Sequence, residues 1–362
     1  MTDTAASSRC RRVVLLLLLS GWAAAPLRAG DQPPAQEQLT ESAVLQQQIG
    51  RLTLKGSGKI WGDVVRLKGG AEWSRLFNRP LFFMSEVRFD QETRLPYDLR
   101  HWGGGVGLGW ALNETTDLIA KYRFDSYKVF NTGPNVDPAF LAAAGRTQTA
   151  APGVLLRHDT RDDAFYPTRG LRAKLEGELA LEPLGGDYDF GRLQADAAVY
   201  GTPFRDREPG TFFSDVTVVE RLRLGWVENF GDTEDVPFFE RYFAGGPSTV
   251  RGHRSRWLTP RGLEQQFVGG EILLVNNLEA RKPIFTKYFD RRLSAAVFFD
   301  LGRAYRRFSD IGDFGYGIGG GLRYVVKMGP LQGVLRADYG VSFDHEGDDA
   351  TSKLHVTLGV PF

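Results

Sequence analysis

The segment HWGGGVGLGW (101–110) sets Trp102, Val106, Leu108 and Trp110 on one face and Gly103, Gly105, Gly107 and Gly109 on the other. Successive side chains of a strand point to opposite faces, so an alternation sustained over roughly eight residues specifies a strand and excludes a helix. The device recurs. FGYGIGGGLRY (314–324) opposes Phe314, Tyr316, Ile318, Leu322 and Tyr324 to Gly315, Gly317, Gly319, Gly321 and Arg323. GLRAKLEGELAL (170–181) opposes Leu171, Ala173, Leu175, Leu179 and Leu181 to Arg172, Lys174, Glu176 and Glu178. In the last segment Leu354, Val356, Leu358, Val360 and Phe362 oppose Lys353, His355, Thr357 and Gly359.

The same reading places strands near 51–60, 62–76, 81–90, 102–112, 116–127, 150–160, 170–182, 188–203 and 212–228. More follow near 267–282, 292–302, 314–327, 331–343 and 353–362, about fourteen in all, an even number as expected for a single-chain bacterial barrel. A soluble sandwich also alternates, so other features must decide. The strands exceed the usual length in soluble sheets. Aromatics stand near the ends of the apolar faces, as in interfacial girdles. The opposite faces carry charges of both signs, which suits a wet or plugged lumen better than a dry core. The expected fold is all-β, a transmembrane antiparallel barrel.

The flanking composition agrees with export. Arg9, Arg11 and Arg12 precede the apolar run VVLLLLLSGWAAA (13–25), and small residues follow, the pattern of a cleavable signal peptide over 1–29. The only cysteine, Cys10, lies inside that leader, so the mature chain has neither disulfides nor a thiolate. Residues 30–49 read as a polar periplasmic linker with a short helix at 36–48, and 50–362 as the barrel. Net charge is +1, which gives no global field for nucleic acid. Mean hydropathy is −0.27, and after the leader no run reaches the roughly 18 apolar residues of a helical span.

Motifs for chemistry fail on context. GYGIGG (315–320) fits G-x-G-x-x-G, but no helix follows to present its N-terminus to a pyrophosphate. GGPSTVRG lacks the Gly-Lys-Ser/Thr ending of a phosphate loop, and His101, His158, His253, His345 and His355 are scattered without cysteine partners. No catalytic constellation, cofactor site or metal site is expected, and the chain reads as a non-enzyme.

Several segments, in order, resemble the BamA/TamA superfamily of outer-membrane assembly and translocation barrels, the bacterial surface antigens. RHDTRDDAFYPTRGLRAKLEGELA (157–180) resembles the family's strand–turn–strand signature. FFERYFAGGPSTVRGHR (238–254) resembles its long sixth extracellular loop, with Gly245, Gly246 and the run Val250, Arg251, Gly252. An aromatic is usual after that run, and here His253 stands there. GGEILLVNNLEARKPI (269–284), AAVFFDLGRAY (295–305), GIGGGLRYVVKMGPLQGVLRADYGVSF (317–343) and the terminal HVTLGVPF resemble the strands that follow.

The resemblance implies a loop folded back into the lumen with Arg251 against acids of the inner wall. Parity along the strands nominates Asp300 and Glu279 for those acids, and the inward glycines at 315–321 leave room for the loop. An arginine suits that role because its planar fork binds carboxylates bidentately. Phe362 resembles the C-terminal aromatic read by the assembly machinery. The family pattern implies up to about sixteen strands and periplasmic POTRA domains, whereas residues 30–49 leave no room for such a domain. The implied role is assembly, insertion or translocation of outer-membrane proteins or lipids. Its partners would be outer-membrane lipids, lipopolysaccharide, unfolded protein clients and a periplasmic protein docked on 30–49. A passive channel and an accessory barrel are the alternatives.

Overall fold

The computed structural model describes residues 42–49, 52–61, 64–77, 79–94, 97–204, 213–289, 291–328, 331–343 and 351–359. The leader expected over 1–29, residues 30–41 and the terminal Phe362 lie outside the described residues. Among the described residues, fifteen strands form one antiparallel sheet in sequence order. They are β1 (Ser42–Ile49), β2 (Leu52–Trp61), β3 (Val64–Leu76), β4 (Leu81–Arg94) and β5 (Tyr97–Ala111). Then come β6 (Thr116–Phe130), β7 (Gly145–Asp159), β8 (Gly170–Ala180), β9 (Phe190–Gly201) and β10 (Thr217–Asn229). The last are β11 (Ile272–Pro283), β12 (Leu293–Tyr305), β13 (Gly315–Met328), β14 (Leu331–Phe343) and β15 (Thr351–Gly359).

Each of the fourteen segments expected from the alternation overlaps one of β2–β15, several of which run a few residues beyond the expected bounds. The fifteenth strand, β1, is a correction, because Ser42–Ile49 pairs with β2 from Ser42↔Lys59 to Ile49↔Leu52 instead of forming a helix. The physical reason is pairing, because the open edge of β2 offers every second backbone group of β1 a partner.

Cα atoms of β1 come within 8 Å of both β14 and β15, which closes the sheet into a barrel. With an odd number of strands and antiparallel neighbours throughout, β1 and β15 run in the same direction. No β1–β15 ladder occurs among the described pairings.

The alternation sorts side chains as a membrane barrel requires. Val154, Leu175, Leu179, Val297, Phe299, Ile318 and Leu322 are exposed on the outer wall, while Ser294, Phe298 and Asp300 on β12 are buried inside. Trp102 and Trp110 stand outward on β5, Trp110 beside its last residue. Eight residues apart, they span about 26 Å of strand, or about 20 Å once a tilt of roughly 35–45° is allowed for, close to the usual apolar band.

Of the segments joining even- to odd-numbered strands, 230–271 is the longest, and it folds into the barrel. Its Phe238 and Val268 join Tyr97, Leu99, Tyr127, Val129, Val136 and Phe140 in an apolar cluster at that mouth. Asp137 fixes the neighbouring loop: its carboxylate accepts from the Ala139 amide at 2.9 Å, starting the short helix Pro138–Ala142, and from the Leu263 amide at 2.8 Å.

Candidate functional site

The register of the last five strands builds a transverse row of small and polar residues across the inner wall. Asn277 pairs with Asp300, Asp300 with Gly317, Gly317 with Ser342, and Ser342 with Thr351. The tip of the long loop lies along this row. The Asn277 amide donates to the Thr249 carbonyl at 2.6 Å, and the Thr351 hydroxyl donates to the Gly252 carbonyl at 3.3 Å. The bare Cα of Gly317 is what admits the loop, because a Cβ there would come within 1.9 Å of the Arg251 carbonyl oxygen. Gly252 sits at φ 93° with its missing Cβ aimed at the Val341–Ser342 backbone, so a side chain would be both strained and blocked.

Arg251 is 1% exposed, and its fork closes on Asp300. Nε donates to Oδ2 at 2.7 Å and Nη2 to Oδ1 at 2.8 Å, and the Arg251 amide adds a third bond to Oδ2 at 2.9 Å. The remaining nitrogen, Nη1, donates to Glu279 Oε2 at 2.6 Å. The guanidinium also lies over the Phe298 ring, 3.6 Å from its centroid, a cation–π contact strengthened by the exclusion of water.

The acids nominated by parity are thus both on the arginine, with Asp300 0% and Glu279 1% exposed. Val250 is fully buried with Ala244, Leu258 and Ala304, and Gly245 and Gly246 turn the chain at positive φ. His253 is 2% exposed, and its Nε2 lies 2.9 Å from the Tyr316 carbonyl oxygen, so the ring both packs and takes up a hydrogen bond.

Sequence reasoning missed the rest of the network. Glu279 also accepts from Arg281 Nε at 2.6 Å and from Arg323, whose Nε and Nη2 lie at 3.1 and 2.8 Å. Asp338 lies 2.6 Å from Arg323 and 3.5 Å from Arg251. His355 accepts weakly from the Gly252 amide at 3.4 Å. Inward parity was legible for each of these. Their convergence was not, because it depends on register across β11–β15.

The turn between β7 and β8 is built by its aspartates. Asp162 accepts from the Thr168 hydroxyl and from the amides of Thr168 and Arg169, and Asp163 from the amides of Phe165 and Tyr166. Burial alone raises the Asp162 carboxyl, but these bonds, the Thr168 hydroxyl first, outweigh it and hold the group below the usual carboxylate range. Tyr166 reaches across to Ser294 on β12, hydroxyl to hydroxyl at 2.9 Å.

The barrel and its inserted loop agree with the family comparison, in which the Omp85 superfamily domain matches residues 58–362. The chain belongs to the Omp85 superfamily. Among curated relatives, the outer membrane protein assembly factor BamA of Nitratidesulfovibrio vulgaris is 27% identical over 291 residues, covering 79% of this chain. The chain spans about a third of that relative, 35% of its length. Among solved structures, BamA from Haemophilus ducreyi lacking POTRA domains 1–3 superposes with a TM-score of 0.68 at 14% identity, over 88% of this chain and 70% of that one. CdiB from Escherichia coli gives 0.56 at 12% identity, over 91% and 63%. At these identities the superpositions establish a shared Omp85 barrel fold.

Proposed function

We propose that this Omp85 barrel is a non-enzymatic factor for assembly, insertion or translocation of proteins or lipids at the outer membrane. In this reading the chain reaches that membrane through a cleavable signal peptide over 1–29. Its surroundings are outer-membrane lipids and lipopolysaccharide, its clients unfolded outer-membrane proteins or lipids. The observation that carries the reading is the long loop seated in the lumen with Arg251 on Asp300 and Glu279. A loop bound this tightly occupies bore that a passive conduit would leave open. Arg251 with Gly252, Asp300 and Glu279 is a lock that holds the loop, and Gly245, Gly246, Val250 and His253 shape it.

The lack of a β1–β15 ladder among the described pairings supports a weak seam. Depleting the protein and then taking a census of the outer membrane tests the proposal. A broad loss of barrel proteins is expected. An unchanged census with client-independent conductance in planar bilayers would replace this reading with a channel. A co-purifying periplasmic protein lost on deleting residues 30–49 would replace it with an accessory barrel.

A further inference from the structure

The long loop carries a second buried charge, opposite in sign to Arg251. Glu240, in the turn Phe238–Glu240, is 4% exposed and faces the wall formed by strands that precede the loop. Arg123 of β6 forks onto it, with Nη1 donating to Oε1 at 3.0 Å and Nη2 to Oε2 at 3.4 Å. Arg192 of β9 donates to Oε2 and also to the Glu240 carbonyl at 2.6 Å, and the Tyr127 hydroxyl donates to Oε1 at 3.2 Å. The neighbouring rings exclude water. Phe239 stacks on Tyr127 at 4.0 Å, and Phe238 meets Phe140 and Tyr97 edge-on at 4.6 and 5.0 Å.

The wall does not need Glu240 for its own charge balance. Glu178 of β8 accepts from Arg123 at 3.2 Å and from Arg192 at 3.5 Å and pairs with Lys121, and Asp125 also accepts from Arg123. Removing the Glu240 charge therefore leaves those cations with partners, and the loop is the part set free. Arg251 is held independently, on β11 and β12. Arg256 adds a lighter contact to Glu92 on β4 at 3.0 Å.

We propose that Glu240 is a second positioning anchor of the lumen loop, separately releasable from Arg251, and that the two tie the wall before the loop to the wall after it. A loop held at both points couples movement of one half of the barrel to the other. That consequence for assembly rests on the function proposed above, while the anchor itself does not.

Trypsin reads the two anchors apart, because Arg241 and Arg251 each lie beside or within one of them and both are buried, at 6% and 1% exposure. The test uses the full chain folded in detergent, with gel mobility before and after boiling to show that the barrel is intact. Glu240→Gln keeps size and packing but removes the charge. Cleavage after Arg241 should rise at least about tenfold, as expected when opening is fast and charge-assisted bonds are lost, while cleavage after Arg251 stays near wild type. Glu240→Asp keeps the charge and should restore most of the protection.

Wild-type resistance in Glu240→Gln would mean that packing alone holds this segment, and the proposal would fall. An equal rise at both sites would mean that the loop leaves as one unit, and separate release would fall. Should Glu240→Gln not fold, Arg192→Lys asks the same question from the wall: a selective rise after Arg241 supports the anchor and no rise overturns it. No client enters these measurements, so a failed census leaves this result standing, and the reverse holds.

Discussion

Replacing Arg251 by alanine removes the three side-chain bonds to Asp300 and Glu279 and the cation–π contact with Phe298. The two acids do not suffer equally. Glu279 keeps Arg281 and Arg323, so it remains paired. Asp300 keeps only neutral donors among its described bonds, the Asn277 amide at 2.8 Å and the Arg251 backbone, and the second lasts only while the loop stays. Breaking a buried pair by removing one partner costs about 3–5 kcal/mol, mostly through the charge left behind. The donors left to Asp300 put Arg251→Ala near the lower end, about 3 kcal/mol. Arg251→Lys keeps the charge but gives up the fork, and should cost about half as much.

The same asymmetry predicts the couplings. A double-mutant cycle of Arg251→Ala with Asp300→Ala should give about 2 kcal/mol, and one with Glu279→Ala about 0.5 kcal/mol. The assay is equilibrium urea unfolding in detergent under conditions where the unfolding and refolding curves overlay, with trypsin cleavage of the 243–257 segment alongside. The cleavable loop should appear in Arg251→Ala while the barrel stays folded. Additive effects, a loop no more cleavable than wild type, or a larger coupling to Glu279 than to Asp300 would each refute the reasoning.

Gly317→Ala should expel the loop as effectively as losing Arg251, because its Cβ meets the Arg251 carbonyl oxygen at 1.9 Å, whereas Gly177→Ala, with nothing within 4 Å, should leave cleavage unchanged. Removing Phe362, or making it charged, should lower the yield of assembled barrel more than the same change at His355, as read by heat-modifiable mobility. Equal yields would count against a terminal recognition role. The depressed Asp162 carboxyl contributes to the β7–β8 turn in full above its ordinary value near pH 4, and the contribution fades as pH falls through the lower folded value. Hydrogen exchange at the Thr168 and Arg169 amides should therefore lose protection only below about pH 4, and Asp162→Asn should abolish that pH dependence.

Period-two alternation is local, so the sequence by itself determined that this chain is a large membrane barrel, which face of each strand meets lipid, and that Asp300 and Glu279 point inward. It also marked Arg251 as the loop residue to watch, through the resemblance around Val250–His253. β1 escaped notice because SAVLQQQI has no clean alternation, with Val44 beside Leu45 and glutamines at three successive positions. Its strand conformation comes from the open edge of β2, a feature of the assembled sheet. The charge network was hidden for a related reason. A charged residue facing the lumen has no identified partner until register fixes what stands beside it. That is why Arg323 and Asp338 joined the Arg251 cluster, and why Glu240 met Arg123 and Arg192, only once the barrel had closed around the loop.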